Sequence, residues 1–156
     1  MSSLEIRILN SSDVETHVRL RSDFVRDMFL GGEGLDWTGL EETARQWMVS
    51  HLQDGTYLSY AAFLDGSVVS SAGVLLYTLP PLPQRPNRTV GHILNFYTYP
   101  KFRRRGYGTA LLEYLKTDAP KRGITRLFLN AAPMGEPLYR KAGFVEQAET
   151  ALVLAL

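Results

Sequence analysis

The sequence predicts a mixed α/β domain, and three observations carry that prediction. Runs with the two-residue period of strands alternate with runs of helical period in the order β-α-α-β-β-β-α-β-α-β, without an internal repeat. The 156 residues suit one domain of ordinary size, so 1–156 is read as a single unit. Apolar residues make up 45% and charged residues 21%, the balance of a chain that buries a core rather than staying disordered.

Leu4, Ile6 and Ile8 alternate and open the chain as a strand. Ser12-Asp13-Val14-Glu15 has the form of a capping box. Val14, Val18, Val25, Met28 and Phe29 follow at helical spacing, predicting an amphipathic helix over 12–30 that Gly31-Gly32-Glu33-Gly34 ends. A second box, Thr38-Gly39-Leu40-Glu41, starts a helix with Leu40, Ala44, Trp47, Met48 and His51 on one side, and Asp54-Gly55 stops it. The β-rich runs 57–63 and 68–77 flank Leu64-Asp65-Gly66-Ser67, and an Asp-Gly pair in that setting signals a hairpin. Pro80, Pro81, Pro83 and Pro86 make 78–89 a loop. Residues 90–99 read as a long strand, 110–115 as the body of a helix ending by Pro120, and 124–129 as another strand. A short helix over 136–142 stops at Gly143, and 150–156 reads as a last strand, apolar on both faces. Such a strand is either enclosed by the sheet or covered by a second subunit, the latter making a homodimer possible.

Charge and composition narrow the chemistry. Seventeen Lys and Arg against sixteen Asp and Glu leave a net charge of +1, so any attraction for anions must be local. The absence of cysteine excludes disulfides, thiolate zinc sites and a cysteine nucleophile, and no metal is expected. No run approaches the ~18–20 consecutive apolar residues of a membrane span, and the start lacks the pattern of a secretory signal. A cytoplasmic protein without a membrane partner is the expectation.

The informative segment is Arg103-Arg104-Arg105-Gly106-Tyr107-Gly108, set between a strand and a helix. A helix start offers unpaired N–H groups and the positive end of the dipole, which suit an anion. Two glycines remove the Cβ atoms that would keep a ligand from those amides, and Lys101 and Arg103 to Arg105 add attraction for a pyrophosphate. A tight turn with a solvated basic face uses the same residues. The Walker pattern is missing, because no Lys-Ser or Lys-Thr follows the glycines, and the dinucleotide fingerprint lacks its third glycine.

Residues 95–108, reading Asn-Phe-Tyr-Thr-Tyr-Pro-Lys-Phe-Arg-Arg-Arg-Gly-Tyr-Gly and followed by Ala110-Leu111-Leu112, resemble the acetyl-CoA-binding motif of the GNAT acyltransferase superfamily. Pro137-Leu138-Tyr139-Arg140-Lys141-Ala142-Gly143-Phe144 resembles that family's short helix and the Gly-Phe opening its next strand. The resemblance implies a GNAT-like fold, a mostly antiparallel sheet with one splayed strand pair flanked by helices. It also implies an acetyl-CoA-dependent N-acetyltransferase, acting without an acyl-enzyme on a primary amine of a small molecule, peptide or protein.

Residue by residue, the resemblance implies that the pantetheine arm pairs with the strand at Phe96, Tyr97 and Thr98, as peptides add to sheet edges. Arg103, Arg104, Arg105, Gly106, Tyr107, Gly108 and Thr109 would hold the pyrophosphate through main-chain N–H groups, and Asn130 would contact the pantetheine arm. Tyr139 falls where members place a tyrosine that protonates the departing thiolate. His92 sits where some members carry a glutamate base, with water as the other proton acceptor. The acceptor site is expected between the first two helices, their connecting loop and the Pro-rich loop, near Asp36, Trp37, Trp47, Glu33, Glu41 and Glu42. Two other classes stand beside this reading: a non-catalytic acyl-CoA-binding module, and a nucleic-acid binder using residues 101–105. The near-zero net charge and the absence of a basic stripe with interleaved aromatics speak against nucleic acid.

Overall fold

In the computed structural model, which describes residues 3–28, 34–148 and 150–156, the chain forms one five-stranded sheet with helices on both faces. The strands are β1 (Leu4–Leu9), β2 (Tyr57–Leu64), β3 (Ser67–Thr78), β4 (Thr89–Thr98) and β5 (Arg126–Phe128), arranged in that order. Pairings β1–β2, β2–β3 and β3–β4 are antiparallel, whereas β4–β5 is parallel. The helices are α1 (Val14–Met28), α2 (Trp37–Gln53), α3 (Tyr107–Asp118) and α4 (Glu136–Lys141). This is the mixed, mostly antiparallel fold expected from the sequence. The β2–β3 turn takes the mirror-image geometry that suits twisted strands, with positive φ at Asp65 (48°) and Gly66 (79°).

Each face of the sheet has its own core. Leu111, Leu112 and Leu115 form one stripe of α3 and are fully buried against Tyr60, Val69, Val74 and Ile93. On the opposite face Leu20 of α1 packs with Leu9 and Ala61. Two polar latches fix α1 to the end of β4. The Tyr99 hydroxyl donates to Asp23 Oδ2 at 2.6 Å, and one turn later Asp27 receives the Arg103 guanidinium.

Two local expectations change. The box that opens the first helical segment is Asn10 with Asp13, because Asn10 Oδ1 accepts from Ser12 N at 2.8 Å and Asp13 Oδ2 accepts from Asn10 N at 3.0 Å. Glu15, given that role from the sequence, instead binds Arg45 of α2 at 2.6 Å. The α2 cap is Asp36, which accepts from Gly39 N at 2.9 Å; a charged carboxylate two residues earlier takes the role expected of Thr38. Phe29 and Gly31-Gly32-Glu33, expected to close the first helix, lie outside the described residues.

The last strand over 150–156 does not form, and Leu152, Val153, Leu154 and Leu156 are at least 81% exposed. Alternating apolar residues confer a preference for extended structure, but a ladder needs a partner edge. β5, shorter than the expected 124–129, offers only three residues of it.

Candidate active site

A bulge in β4 organises the site. Ser71 pairs with Tyr97 and Gly73 with Leu94, so Ala72 alone spans the interval occupied by Asn95 and Phe96. Asn95 absorbs the extra residue in the left-handed region (φ 53°), which an asparagine tolerates better than most side chains. Ser70, fully buried, steadies the strand beyond the bulge by donating to the Tyr97 carbonyl at 2.9 Å and bonding Thr98 Oγ1 at 2.8 Å.

On its other side β4 parts from β5. The two strands pair only from Val90 with Arg126 to His92 with Phe128. Beyond His92, residues 93–98 meet no strand on that side among the described residues, leaving an open edge at Phe96, Tyr97 and Thr98. The chain then turns through Pro100–Phe102, reaches positive φ at Arg104 (58°) and Gly106 (86°), and enters α3 at Tyr107. Ala110 N donates to Gly106 O at 2.9 Å, whereas the N–H groups of residues 104–109 meet no acceptor among the described residues. This row of bare amides at a helix start has the geometry that suits an anion. Gly108 lies under the strand edge, where an added Cβ would come within 3.2 Å of Thr98 Oγ1 and 3.5 Å of Phe96 Cε1.

Arg103 has another task. Its amide bonds to Pro100 O at 3.2 Å, and its guanidinium donates to Thr98 O at 2.8 Å and pairs with Asp27. It braces the turn to α1, while Arg104, Arg105 and Thr109 remain exposed.

Tyr139 comes to the same place from α4. It is 9% exposed, and its ring meets Phe96 edge-on at 5.7 Å and Phe144 at 5.9 Å. Burial pushes its phenol up to about 12, so the hydroxyl is protonated at neutral pH. Asn130 is exposed, two residues beyond the end of β5. His92 is half-buried on the last rung of the β4–β5 pairing, three residues before Asn95.

The face of the sheet under α1 and α2 carries a cleft that ends at the same bulge. It is narrow, with a cavity volume of about 20 Å³, opens to solvent, and is lined by His17, Arg21, Tyr57, Ser59, Ser71 and Asn95 among others. Arg21 Nη1 donates to Asn95 Oδ1 at 2.5 Å, and Asn95 Nδ2 donates to the Tyr57 hydroxyl at 3.4 Å. That hydroxyl occupies the space beside Gly73, where a Cβ would lie 1.8 Å from it. His17 is 2% exposed; burial pulls its imidazole down to about 4, and its Nε2 has no hydrogen-bond partner.

Among the described residues, none of the acceptor-site residues expected from the sequence lines this cleft. Asp36 caps α2, Glu41 pairs with Arg26 at 3.6 Å, and Glu42 binds Arg45 at 2.7 Å. Trp37 lies under the Arg26 guanidinium at 4.6 Å, and Trp47 meets Tyr57 edge-on at 5.0 Å, behind the cleft wall. Glu33 lies outside the described residues. The Pro-rich loop feeds the start of β4 and contributes no lining residue. The missed residues left two traces in the sequence: a glycine at 73 within an apolar strand, and an asparagine at 95 in a run otherwise suited to a strand. Among the described residues, no group of three His, Asp or Glu side chains could hold a metal, and no helix is long and apolar enough to cross a membrane.

A strand edge, an amide cradle and a polar cleft that converge at one bulge define a group-transfer enzyme with a nucleotide-bearing donor. Residues 20–144 match the acetyltransferase (GNAT) family, and the chain belongs to that family. It is an acetyl-CoA-dependent N-acetyltransferase; the non-catalytic alternative is not favoured. A glucosamine 6-phosphate N-acetyltransferase of Trypanosoma brucei brucei is 26% identical over 142 residues, covering 90% of this chain and 88% of that protein. A GCN5-related N-acetyltransferase from Ralstonia eutropha superposes with a TM-score of 0.77 at 30% identity, covering 97% and 99% of the two chains. An acetyltransferase from Clostridium acetobutylicum, crystallised with acetyl-CoA, gives a TM-score of 0.82 at 22% identity, covering 97% and 96%.

Proposed function

We propose that this is a cytoplasmic enzyme that acetylates a small primary amine, taking the donor along the β4 edge and the acceptor into the cleft at Asn95. The observation that carries this reading is the meeting of both spaces at the β4 bulge. The trypanosomal relative makes glucosamine 6-phosphate the first acceptor to test.

The residues fit acetyl-CoA on two counts: the amides of 104–109 lack acceptors among the described residues, and Gly108 keeps the ground between loop and strand clear. When bound, acetyl-CoA supplies an acetyl group already activated as a thioester. The amides hold the diphosphate, with Arg104 and Arg105 adding long-range attraction. Phe96, Tyr97 and Thr98 align the pantetheine arm by main-chain pairing, and Asn130 reaches it from the end of β5. An amide near Phe96 or Tyr97 stabilises the charge that develops on the thioester oxygen, and alignment of donor and amine supplies much of the acceleration.

Tyr139 faces the departing sulfur as a hydrogen-bond donor. With its phenol near 12, against ~8.5 for an ordinary thiol, complete proton release to sulfur is uphill. Its contribution is therefore a hydrogen bond that strengthens as negative charge grows on sulfur. His92, or water beside it, accepts the amine proton.

Release of CoA thiol from a panel of amines tests the activity. Tyr139→Phe should lower kcat by about 10–100-fold while leaving the KM for acetyl-CoA within about twofold. Equal kcat for the two proteins would remove Tyr139 from the chemistry. We also propose a homodimer in which a second copy covers the exposed apolar segment 151–156. Sedimentation should then give a mass of twice 17.5 kDa, and a monomer on introducing Leu152→Lys with Leu154→Lys.

A further inference from the structure

The cleft at Asn95 has an unbalanced charge. Arg21 is half-buried in its wall, spends one N–H on Asn95 Oδ1 and lies over Phe24 at 5.6 Å. Among the described residues it has no carboxylate within ion-pair distance. The neighbouring acids are engaged elsewhere: Asp13 with Arg7 at 3.0 Å, Asp23 with Tyr99 at 2.6 Å, Asp27 with Arg103, and Glu15 with Arg45 at 2.6 Å. The other described groups lining the cleft are neutral: Tyr57, Ser59, Ser71, Asn95 and His17. His17 adds a second sign of a missing partner, since its Nε2 is buried and unpaired in the same wall.

A guanidinium presents five donors in a planar fork that matches an oxyanion, and four of them are left after the bond to Asn95. A buried polar atom without a partner carries a desolvation cost that a ligand can relieve. The same positive charge disfavours an ammonium ion beside it, whereas only the neutral amine attacks a thioester. An acceptor with a negative group of its own satisfies Arg21 and keeps its amine close to the donor.

We propose that Arg21 selects the acceptor by binding an anionic group on it, a carboxylate or a phosphate, so that the substrates are amines bearing such a group. This rests on the cleft being the acceptor site. It goes further in naming the acceptor's chemistry and the residue that reads it. Carboxylate and phosphate share the recognition, and matched pairs of acceptors separate them.

The experiment compares kcat/KM for glucosamine 6-phosphate with glucosamine, and for an α-amino acid with its carboxamide. These are measured on the wild type, Arg21→Gln, Arg21→Lys and the cleft-filling variant Ser71→Phe. The expected result is a preference of at least tenfold for one or both anionic members. Arg21→Gln should abolish that preference and Arg21→Lys retain part of it, with the KM for acetyl-CoA unchanged within about twofold. The pair that shows the preference identifies the anion. Preference for the neutral members, or an anionic preference that survives Arg21→Gln, overturns the proposal. So does an equal loss of kcat on both members of a pair, which would mean that Arg21 acts only by holding Asn95. In each of these cases a raised acceptor KM in Ser71→Phe keeps the cleft as the acceptor site. Unchanged acceptor KM in both Arg21→Gln and Ser71→Phe removes the cleft reading as well.

Discussion

The two halves of the site are built by different means. The proposed donor half, from the open β4 edge to the first turn of α3, offers main-chain groups to a ligand, and its defining residues are those with little or no side chain. The proposed acceptor half, beneath α1 and α2, is lined by residues from five elements: His17 and Arg21, Met48, Tyr57 and Ser59, Ser71 and Gly73, and Asn95. A main-chain cradle is indifferent to most of its side chains but intolerant of bulk. A side-chain cleft changes its preference with each residue.

The strongest test of the contrast sets bulk against charge in the donor half. Gly108→Glu should raise the KM for acetyl-CoA by more than about 100-fold and abolish the increase in Tm that acetyl-CoA produces. The unliganded protein should melt no lower than about 3 °C below wild type, because a carboxylate in the first turn of α3 favours the helix dipole. Arg104→Ala, by comparison, should change that KM by less than about fivefold, since its exposed side chain contributes only screened attraction. Similar effects from the two substitutions would dissolve the distinction.

The acceptor half should show in the pH dependence of stability. His17 is held near 4 in the folded protein by burial, against its ordinary 6.5 when unfolded. The unfolded chain therefore binds more protons between those values, and stability falls as pH drops through that window. A contribution of roughly 2–3 kcal/mol should be present above pH 7 and lost progressively toward pH 4. Urea titrations at pH 7.5 and 4.5 measure it, and His17→Gln should flatten the difference; an unaltered slope would place the sensitivity elsewhere.

A smaller effect separates Gly73 from Gly108 by location. Gly73→Ala forces the Tyr57 hydroxyl off its position and should cost about 1–3 kcal/mol of stability. Because Tyr57 belongs to the cleft, the KM for the acceptor should rise more than that for acetyl-CoA. A rise confined to acetyl-CoA would mean that the bulge serves the donor alone.

Most of the sheet was legible in the chain's own pattern. β1, the β2–β3 hairpin and β4 follow from alternation and from Asp65-Gly66, because these depend on neighbours in sequence. Both helix caps were displaced by two residues, since several short polar side chains near each start compete for the same amides. In the donor half, Gly106 and Gly108 were readable because a strand, a tight turn and a helix start follow one another along the chain. The cleft was not readable. His17, Tyr57, Gly73 and Asn95 are far apart in sequence; sheet register brings the last three together, and the packing of α1 on the sheet adds His17.

By itself the sequence determined the order of elements, the hairpin, the amide-rich turn and the family resemblance, all properties of contiguous residues. Tertiary structure decided three further matters: that Arg103 braces α1, that the acids near the cleft are already paired, and that residues 151–156 find no strand to join. Each depends on which distant group reaches a given atom first, and a local pattern carries no record of that competition.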